Sequence, residues 1–308
     1  MTARRELSVA VALAALCGVM AVRAPDFFGA AQVRTMLVGA APVLVVAVGM
    51  TLVILTREID ISVGAQFSIC GVVAGLLAQA GAPLPVAFAA AVAAGAALGA
   101  VNGALVALAG LPSIVVTLAT LVVYREALRW WREGQFVRDM PPGFQWFALG
   151  GDVGPWAVVG VAAAVFALFA WGLRHLAAGR AVYATGSDAE AARLAGLRPG
   201  RVVFGAFVLT GSLTGLAAVL NAVRFADVDP TAGTGLELEV IAAVVVGGVA
   251  ITGGRGRLVG VLLGVALLAA VGPALVFLKA RPQWEKAIQG GIILVAVASD
   301  ALGRREGA

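Results

Sequence analysis

Apolar residues in this chain do not recur at every third or fourth position, as they would on a helix with one wet face. They run on unbroken, and polar residues collect in short gaps between the runs. The runs are Leu7–Val22, Met36–Thr56, Ile61–Ala80, Leu84–Gly110, Leu111–Trp131, Trp156–Leu173, Val202–Val223, Leu238–Ile251, Leu258–Leu278 and Ala287–Ala301. A helix that crosses a bilayer needs roughly 20 apolar residues, so the pattern predicts an all-α polytopic membrane protein of about ten transmembrane helices. Leu238–Ile251 and Ala287–Ala301 are short for this and are expected to be tilted, broken or half-buried. The first run follows Arg4-Arg5 and resembles a signal peptide with an imperfect cleavage site at Ala21–Ala24, but an uncleaved first helix is the simpler reading. No room is left for a second, soluble domain, so residues 1–308 read as one membrane domain.

Composition narrows the function. Of 308 residues, 61% are hydrophobic and 13% charged, against about 45–50% and about 25% in ordinary globular chains. There is one histidine, His175, at a helix end, and two cysteines, Cys17 and Cys70, both inside apolar runs. Neither a His/Cys metal cluster nor a disulfide framework can be built from these, and no cofactor is expected. Lys279 and Lys286 are the only lysines and each precedes an alanine, so no Gly-Lys-Ser/Thr phosphate loop exists and the chain cannot be its own ATPase. The net charge of +5 comes mainly from loop and tail arginines, which points to topology and anionic lipid rather than nucleic acid. With both termini placed in the cytoplasm, the inner connections carry the whole +5 and the outer ones are neutral. Gly172–Arg201, with Arg174, Arg180, Arg193, Arg198 and Arg201, is expected to be cytoplasmic; Arg132–Pro155 balances its charges, carries Trp146 with Trp156 just after it, and reads as an external interfacial loop.

Glycine makes up 40 of the residues and falls at helical spacing: Gly95, Gly99 and Gly103; Gly211 and Gly215; Gly256, Gly260 and Gly264. Such ladders let helix backbones approach closely, and they are read as packing. A faint internal echo relates Leu55-Thr56 … Val63-Gly64 to Ile251-Thr252 … Val259-Gly260. Polar residues within spans are Gln66, Asn102, Thr117, Thr120, Ser212, Thr214 and Asn221. Each is best explained singly by interhelical hydrogen bonding, yet together they suit a pathway for a neutral polyol. No carboxylate is expected near a span centre, which weakens the case for an ion-driven pump. Asp60 or Ser62 is expected to cap the helix after the Thr56–Ser62 turn, and Tyr124-Arg125-Glu126 with Arg129 and Trp130-Trp131 reads chiefly as helix termination and interfacial anchoring.

The sharpest local feature is Asp188–Gly196 in the basic loop. It reads as a short helix with Ser187 or Asp188 at its N-cap, Gly196 as its stop, and an apolar face of Ala191, Leu194 and Ala195 that requires a partner or a membrane surface. Glu190–Gly196 resembles the EAA coupling loop of bacterial ABC-importer permeases. The ordered motifs around it, Gly49–Gly64, Asn102-Gly103, Pro112–Thr120, Tyr183–Gly186, Thr231–Gly235 and Gly253–Gly256, resemble the permease family of the ribose, xylose, rhamnose and autoinducer-2 importers. The likeness runs from about Pro42 to Asp300, and Thr56–Asp60 with Tyr124–Met140 look most like the rhamnose and autoinducer-2 branch. The resemblance implies a permease subunit that hydrolyses nothing, in the bacterial inner membrane. It also implies a second permease subunit, a cytoplasmic ATPase and a periplasmic sugar-binding protein as partners. Glu190, Ala191, Arg193 and Gly196 would couple the ATPase to the pathway, with Gln66, Asn102, Thr117 and Asn221 as pathway residues.

Three other readings stay open at this point. A secondary sugar transporter would want an ion site at mid-membrane. A membrane enzyme would want paired carboxylates or a nucleophile beside a base. A branched-chain amino-acid permease shares the general layout.

Overall fold

A chain in lipid must bond its backbone N–H and C=O groups internally, and the apolar runs accordingly fold as helices. The computed structural model describes residues 2–281, 283–292 and 294; among these, the elements are helical apart from an isolated antiparallel bridge between Val137 and Val228. The α-helices are α1 (Thr2–Arg23), α2 (Ala30–Leu55), α3 (Val63–Gln79), α4 (Leu84–Ala107), α5 (Ser113–Arg132) and α6 (Gly150–His175). They continue with α7 (Ala177–Ser187), α8 (Ala189–Leu194), α9 (Pro199–Ala222), α10 (Leu236–Val246) and α11 (Leu258–Phe277). Short 3-10 turns stand at Pro25–Phe28 and Gln145–Ala148, and residues 284–292 are also helical.

Six helices, namely α1 from Glu6, α2, α4, α6, α9 and α11, are long and apolar enough to cross a membrane. The other expected spans differ for local reasons. Helix α3 is apolar but has 17 residues, because the chain runs through a non-helical turn to Ser62 before it starts. Helix α10 has 11 residues, bracketed by Gly235 and by Gly247-Gly248, with Gly235 and Gly248 in left-handed conformations. Helix α5 has 20 residues but carries Arg125, Glu126, Arg129 and Arg132 towards its C-terminal end. The expected span Ala287–Ala301 lies largely outside the described residues, as does the C-terminus.

The chain reverses at two poles. At one, Glu6 of α1 faces Arg257 at 3.5 Å, near where the 56–62 turn, α7, α8 and the turn before α11 gather. At the other, Gln79 Nε2 donates to Arg138 O at 3.0 Å, Trp146 N donates to Val223 O at 2.8 Å, and Arg34 faces Asp152 at 3.9 Å. Helix α1 is part of the bundle: Val9 packs with Val246 and Leu267, and Met20 with Ala270 and Ala274.

Helix α9 is the centre of the bundle, packed along α4 over its length and also against α2 and α3. Helix α2 is apolar all round and buried from Leu44 to Leu55, as a core helix must be. The glycines explain the closeness of α4 and α9. A Cβ on Gly95 would fall onto the carbonyl of Gly211, one on Gly99 onto that of Phe207, and one on Gly215 onto that of Ala91. Lipid is as apolar as leucine and gives helices no hydrophobic reason to associate, so close van der Waals contact of this kind is what holds them together. Gly260 and Gly264 make the same approach between α11 and α10, whereas Gly256 lies in the preceding loop rather than on the helix.

Gly211→Leu should therefore drive α4 and α9 apart, at a cost of about 3 kcal/mol or more for overpacking. Gly205→Leu on the same helix meets nothing within 4 Å. The fraction of each variant that stays monodisperse in detergent after heating should fall for the first and match the unaltered protein for the second.

Candidate functional site

The segment from α7 to α8 is built by local rules. Asp188 is in an extended conformation between the two helices, and its carboxylate accepts from Glu190 N at 2.9 Å and Ala191 N at 3.0 Å, so it is the N-cap. Gly196, at φ 84°, closes the other end: Gly196 N donates to Arg193 O and Leu197 N to Ala192 O. Arg193 and Glu190 pair at 2.6 Å across one turn on the exposed side. Ala192 is buried, while Ala191, Leu194 and Ala195 face outward, Leu194 at 80% exposure. The expected cap, stop and apolar face are thus all present.

What the sequence did not reveal is how this segment is fixed to the bundle. Arg57, in the turn after α2, holds φ 71° and sends its guanidinium to the last carbonyls of α7: Nε donates to Gly186 O at 2.6 Å and Nη2 donates to Ser187 O. Those carbonyls have no partner within their own helix, and a cation there also meets the negative end of the helix dipole. Gly186 has to be glycine, because a Cβ would land on Leu55 O, which itself accepts from Gly254 N at 2.9 Å. Tyr183 Oη donates to Gly256 O at 2.9 Å. Burial raises the Tyr183 phenol above its ordinary pKa, with Arg257 opposing, so the hydroxyl keeps the proton that it donates. The two turns related by the faint sequence echo therefore meet on either side of α7. A bond from residue 57 to residues 186 and 187 has no local signature.

Three of the four expected pathway residues come together at the turn from Ile59 to Ser62. Asp60 Oδ1 accepts from Ser62 N at 2.9 Å and Ser62 Oγ at 2.6 Å, and Oδ2 accepts from Gln66 Nε2 at 3.1 Å. Asn102 Nδ2 reaches Ser62 Oγ at 2.7 Å from α4. Thr117 Oγ1, on α5, lies 3.2 Å from Ile59 O and 2.8 Å from Ser113 O. Asp60, Ser62, Gln66, Asn102 and Thr117 are all fully buried. Neither Asp60 nor Ser62 caps α3 through its side chain; Asp60 gathers the polar groups of its own turn instead. Asp60, in the turn before α3, and Glu237, in the first turn of α10, stand at element ends and not at span centres, yet both are buried. Asp60 is tolerated because neutral donors surround it, and the nearest of these are only two and six residues away.

Asn221 is elsewhere, on the last turn of α9, where its Oδ1 accepts from Arg224 at 3.3 Å. It lines a cavity of about 530 Å³ with Phe67, Ser68, Phe225 and Asp227. A larger cavity, about 820 Å³, lies beside it between α3, α5 and residues 230–234. His175 ends α6, exposed and stacked on Trp171.

Residues 32–297 match the family model described as branched-chain amino acid transport system / permease component. The chain is 36% identical over 270 residues to the autoinducer 2 import system permease protein LsrC of Escherichia coli (strain K12 / DH10B), covering 87% of this chain and 79% of that protein. It is equally similar to the LsrC proteins of Shigella flexneri and of Salmonella typhimurium, covering 79% and 78% of them. No solved structure matches the chain. A match across nearly all the helices, with relatives that share a third of its residues, makes this chain a member of the branched-chain amino acid transport system / permease component family.

Proposed function

We propose that this chain is the membrane-spanning permease subunit of an ATP-driven importer for a monosaccharide or a related polyol, with autoinducer-2 or rhamnose the leading substrates. It acts as a transporter subunit and not as an enzyme. In this reading it spans the bacterial inner membrane about ten times, with both termini in the cytoplasm and the pole that holds α8 facing inward. A cytoplasmic ATPase covers the exposed face of α8, a periplasmic binding protein delivers substrate to the opposite pole, and a second permease subunit completes the pathway. Glu190, Ala191, Arg193 and Gly196 form the coupling contact.

The observation that carries this reading is the attachment of α8. A short helix, fixed at both ends and apolar on its outer side, is clamped by Arg57 to the turn that leads into the Asp60 cluster. Motion imposed on α8 therefore reaches Gln66, Asn102 and Thr117 through a few strong bonds. Coupling requires that the ATPase hold α8 differently in its two states, because a partner that binds both states equally shifts nothing. Gln66, Asn102 and Thr117 then close the inner end of the pathway and Asn221 lines its outer end. The relatives import autoinducer 2, as their name states, and the neutral polar groups near the cavities suit a substrate that bears hydroxyls.

Two experiments test this. The double change Glu190→Lys with Arg193→Glu keeps the ion pair within α8 but reverses its charges towards a partner. This reversal, or Gly196→Pro made separately, should leave the protein inserted while uptake falls roughly tenfold or more. An affinity-tagged chain purified from membranes should retain an ATPase, and the reversed pair should release it. Normal uptake with these changes would remove the coupling role from α8.

Arg57→Ala removes two charge-assisted hydrogen bonds, each worth about 1.5–3 kcal/mol. The ATPase should remain bound and hydrolyse ATP, while the stimulation of hydrolysis by loaded binding protein is lost. Arg57→Lys, which can satisfy one carbonyl, should restore part of it. Equal stimulation in all three proteins would show that Arg57 is not in the path of coupling.

A further inference from the structure

The cavity between α3, α5 and residues 230–234 is lined by Ala65 and Ser68 from α3, by Arg125, Glu126 and Arg129 from α5, and by Thr231 and Thr234 from the loop after α9. Its walls reach from Glu133 and Gly134, just beyond the C-terminal end of α5, to Ala65 in the first turn of α3. At a rise of 1.5 Å per residue, Arg125 lies about 12 Å below Glu133 along the helix. The cavity thus leads from one pole into the depth of the bundle. Charged groups at such depth face an aqueous space or a protein partner rather than lipid tails.

Arg125 is held in place. Its Nη2 lies 3.3 Å from Glu237 Oε1, and the Glu237 side chain is only 9% exposed. Glu237 Oε2 is buried and has no hydrogen-bond partner among the described residues. It sits against Gly64, where any Cβ would displace it, and Gly64 adjoins Ala65 in the cavity wall. A buried carboxylate oxygen left unpaired is unfavourable unless a donor is supplied, and nothing near it in its own turn supplies one. Ser68 Oγ accepts from Gly233 N at 3.0 Å, which fixes the loop that carries Thr231 and Thr234 over the same cavity.

From this geometry we infer that the cavity is a binding chamber for a neutral polyol, with Arg125 the residue that grips substrate hydroxyls and Glu237 the residue that positions Arg125. A guanidinium donates to hydroxyl oxygens, so Arg125 in the cavity wall can hold neighbouring hydroxyls of a diol while Glu237, behind the wall, fixes its orientation. Ser68, Thr231 and Thr234 add neutral groups that accept and donate. The inference rests on the importer reading for its direction of transport, but the chamber is testable without it.

The test introduces a thiol by Thr234→Cys, at an exposed cavity position, in the full chain reconstituted with whatever ATPase it retains. A charged, membrane-impermeant thiol reagent should label it, and millimolar rhamnose or ribose should slow labelling severalfold while leucine does not. In the Thr234→Cys background, Arg125→Gln should abolish the protection and leave labelling itself intact, and Arg125→Lys should restore part of it. Glu237→Gln should weaken protection less than Arg125→Gln. The proposal is overturned if the thiol is not labelled, if neither sugar protects it, if leucine protects equally, or if Arg125→Gln protects as well as the parent. Retention of the ATPase is measured on the same material. Sugar protection without a retained ATPase would leave the chamber standing and remove the importer reading.

Discussion

Backbone that leaves the helix inside a bilayer finds no water to bond, and the rest of this structure follows from how that constraint is met. The chain leaves the helix against the packed helices in two places: the turn from Thr56 to Ser62, and the descent from Val223 to Gly235. In the first, Ser113 Oγ accepts from Ile59 N and the Asp60 carboxylate accepts from Ser62 N. In the second, Ser68 accepts from Gly233 N, and Gly64 and Gly233 touch backbone to backbone. Ser113, Asp60 and Ser68 thereby make bonds that water would otherwise make. The short helices α3 and α10 exist because these breaks are stabilised from their sides.

The same constraint explains how far the sequence could be read. Helix positions were legible because lipid selects almost solely for apolarity: the run Leu84–Gly110 became α4, Leu84–Ala107, and Leu258–Leu278 became α11, Leu258–Phe277. Helix α8 was legible in detail because caps and stops are encoded within a few residues, as with Asp188 and Gly196. Helix α6 begins at Gly150, six residues before the apolar run at Trp156, within the stretch to Pro155 that reads as an external loop. Pro155 lies inside α6, just past its first turn, where its missing N–H removes one i→i−4 bond without ending the helix.

The candidate site was harder. Charges counted along a chain mark Asp60 as part of a turn, which it is, but carry no sign that its carboxylate is buried. What permits its burial and that of Glu237 comes from far away in sequence: Asn102 on α4 joins the Asp60 group, and Arg125 on α5 meets Glu237. Arg57 was quoted as part of a motif, but its bond to the end of α7 crosses more than a hundred residues. Gln66, Asn102 and Thr117 are each legible as polar residues in apolar runs, whereas their meeting at the Ile59–Ser62 turn is not.

The seam between α4 and α9 has a further consequence. Where Gly95 and Gly99 meet Gly211 and Gly215, main chain lies on main chain, and no rotamers are frozen when the helices come together. Their cohesion is dispersion between packed atoms and owes little to water released from apolar surface. Water-driven burial weakens as temperature falls, through its large heat capacity. A seam of this kind carries little of that heat capacity, so the centre of the bundle keeps its grip in the cold, when soluble cores begin to loosen.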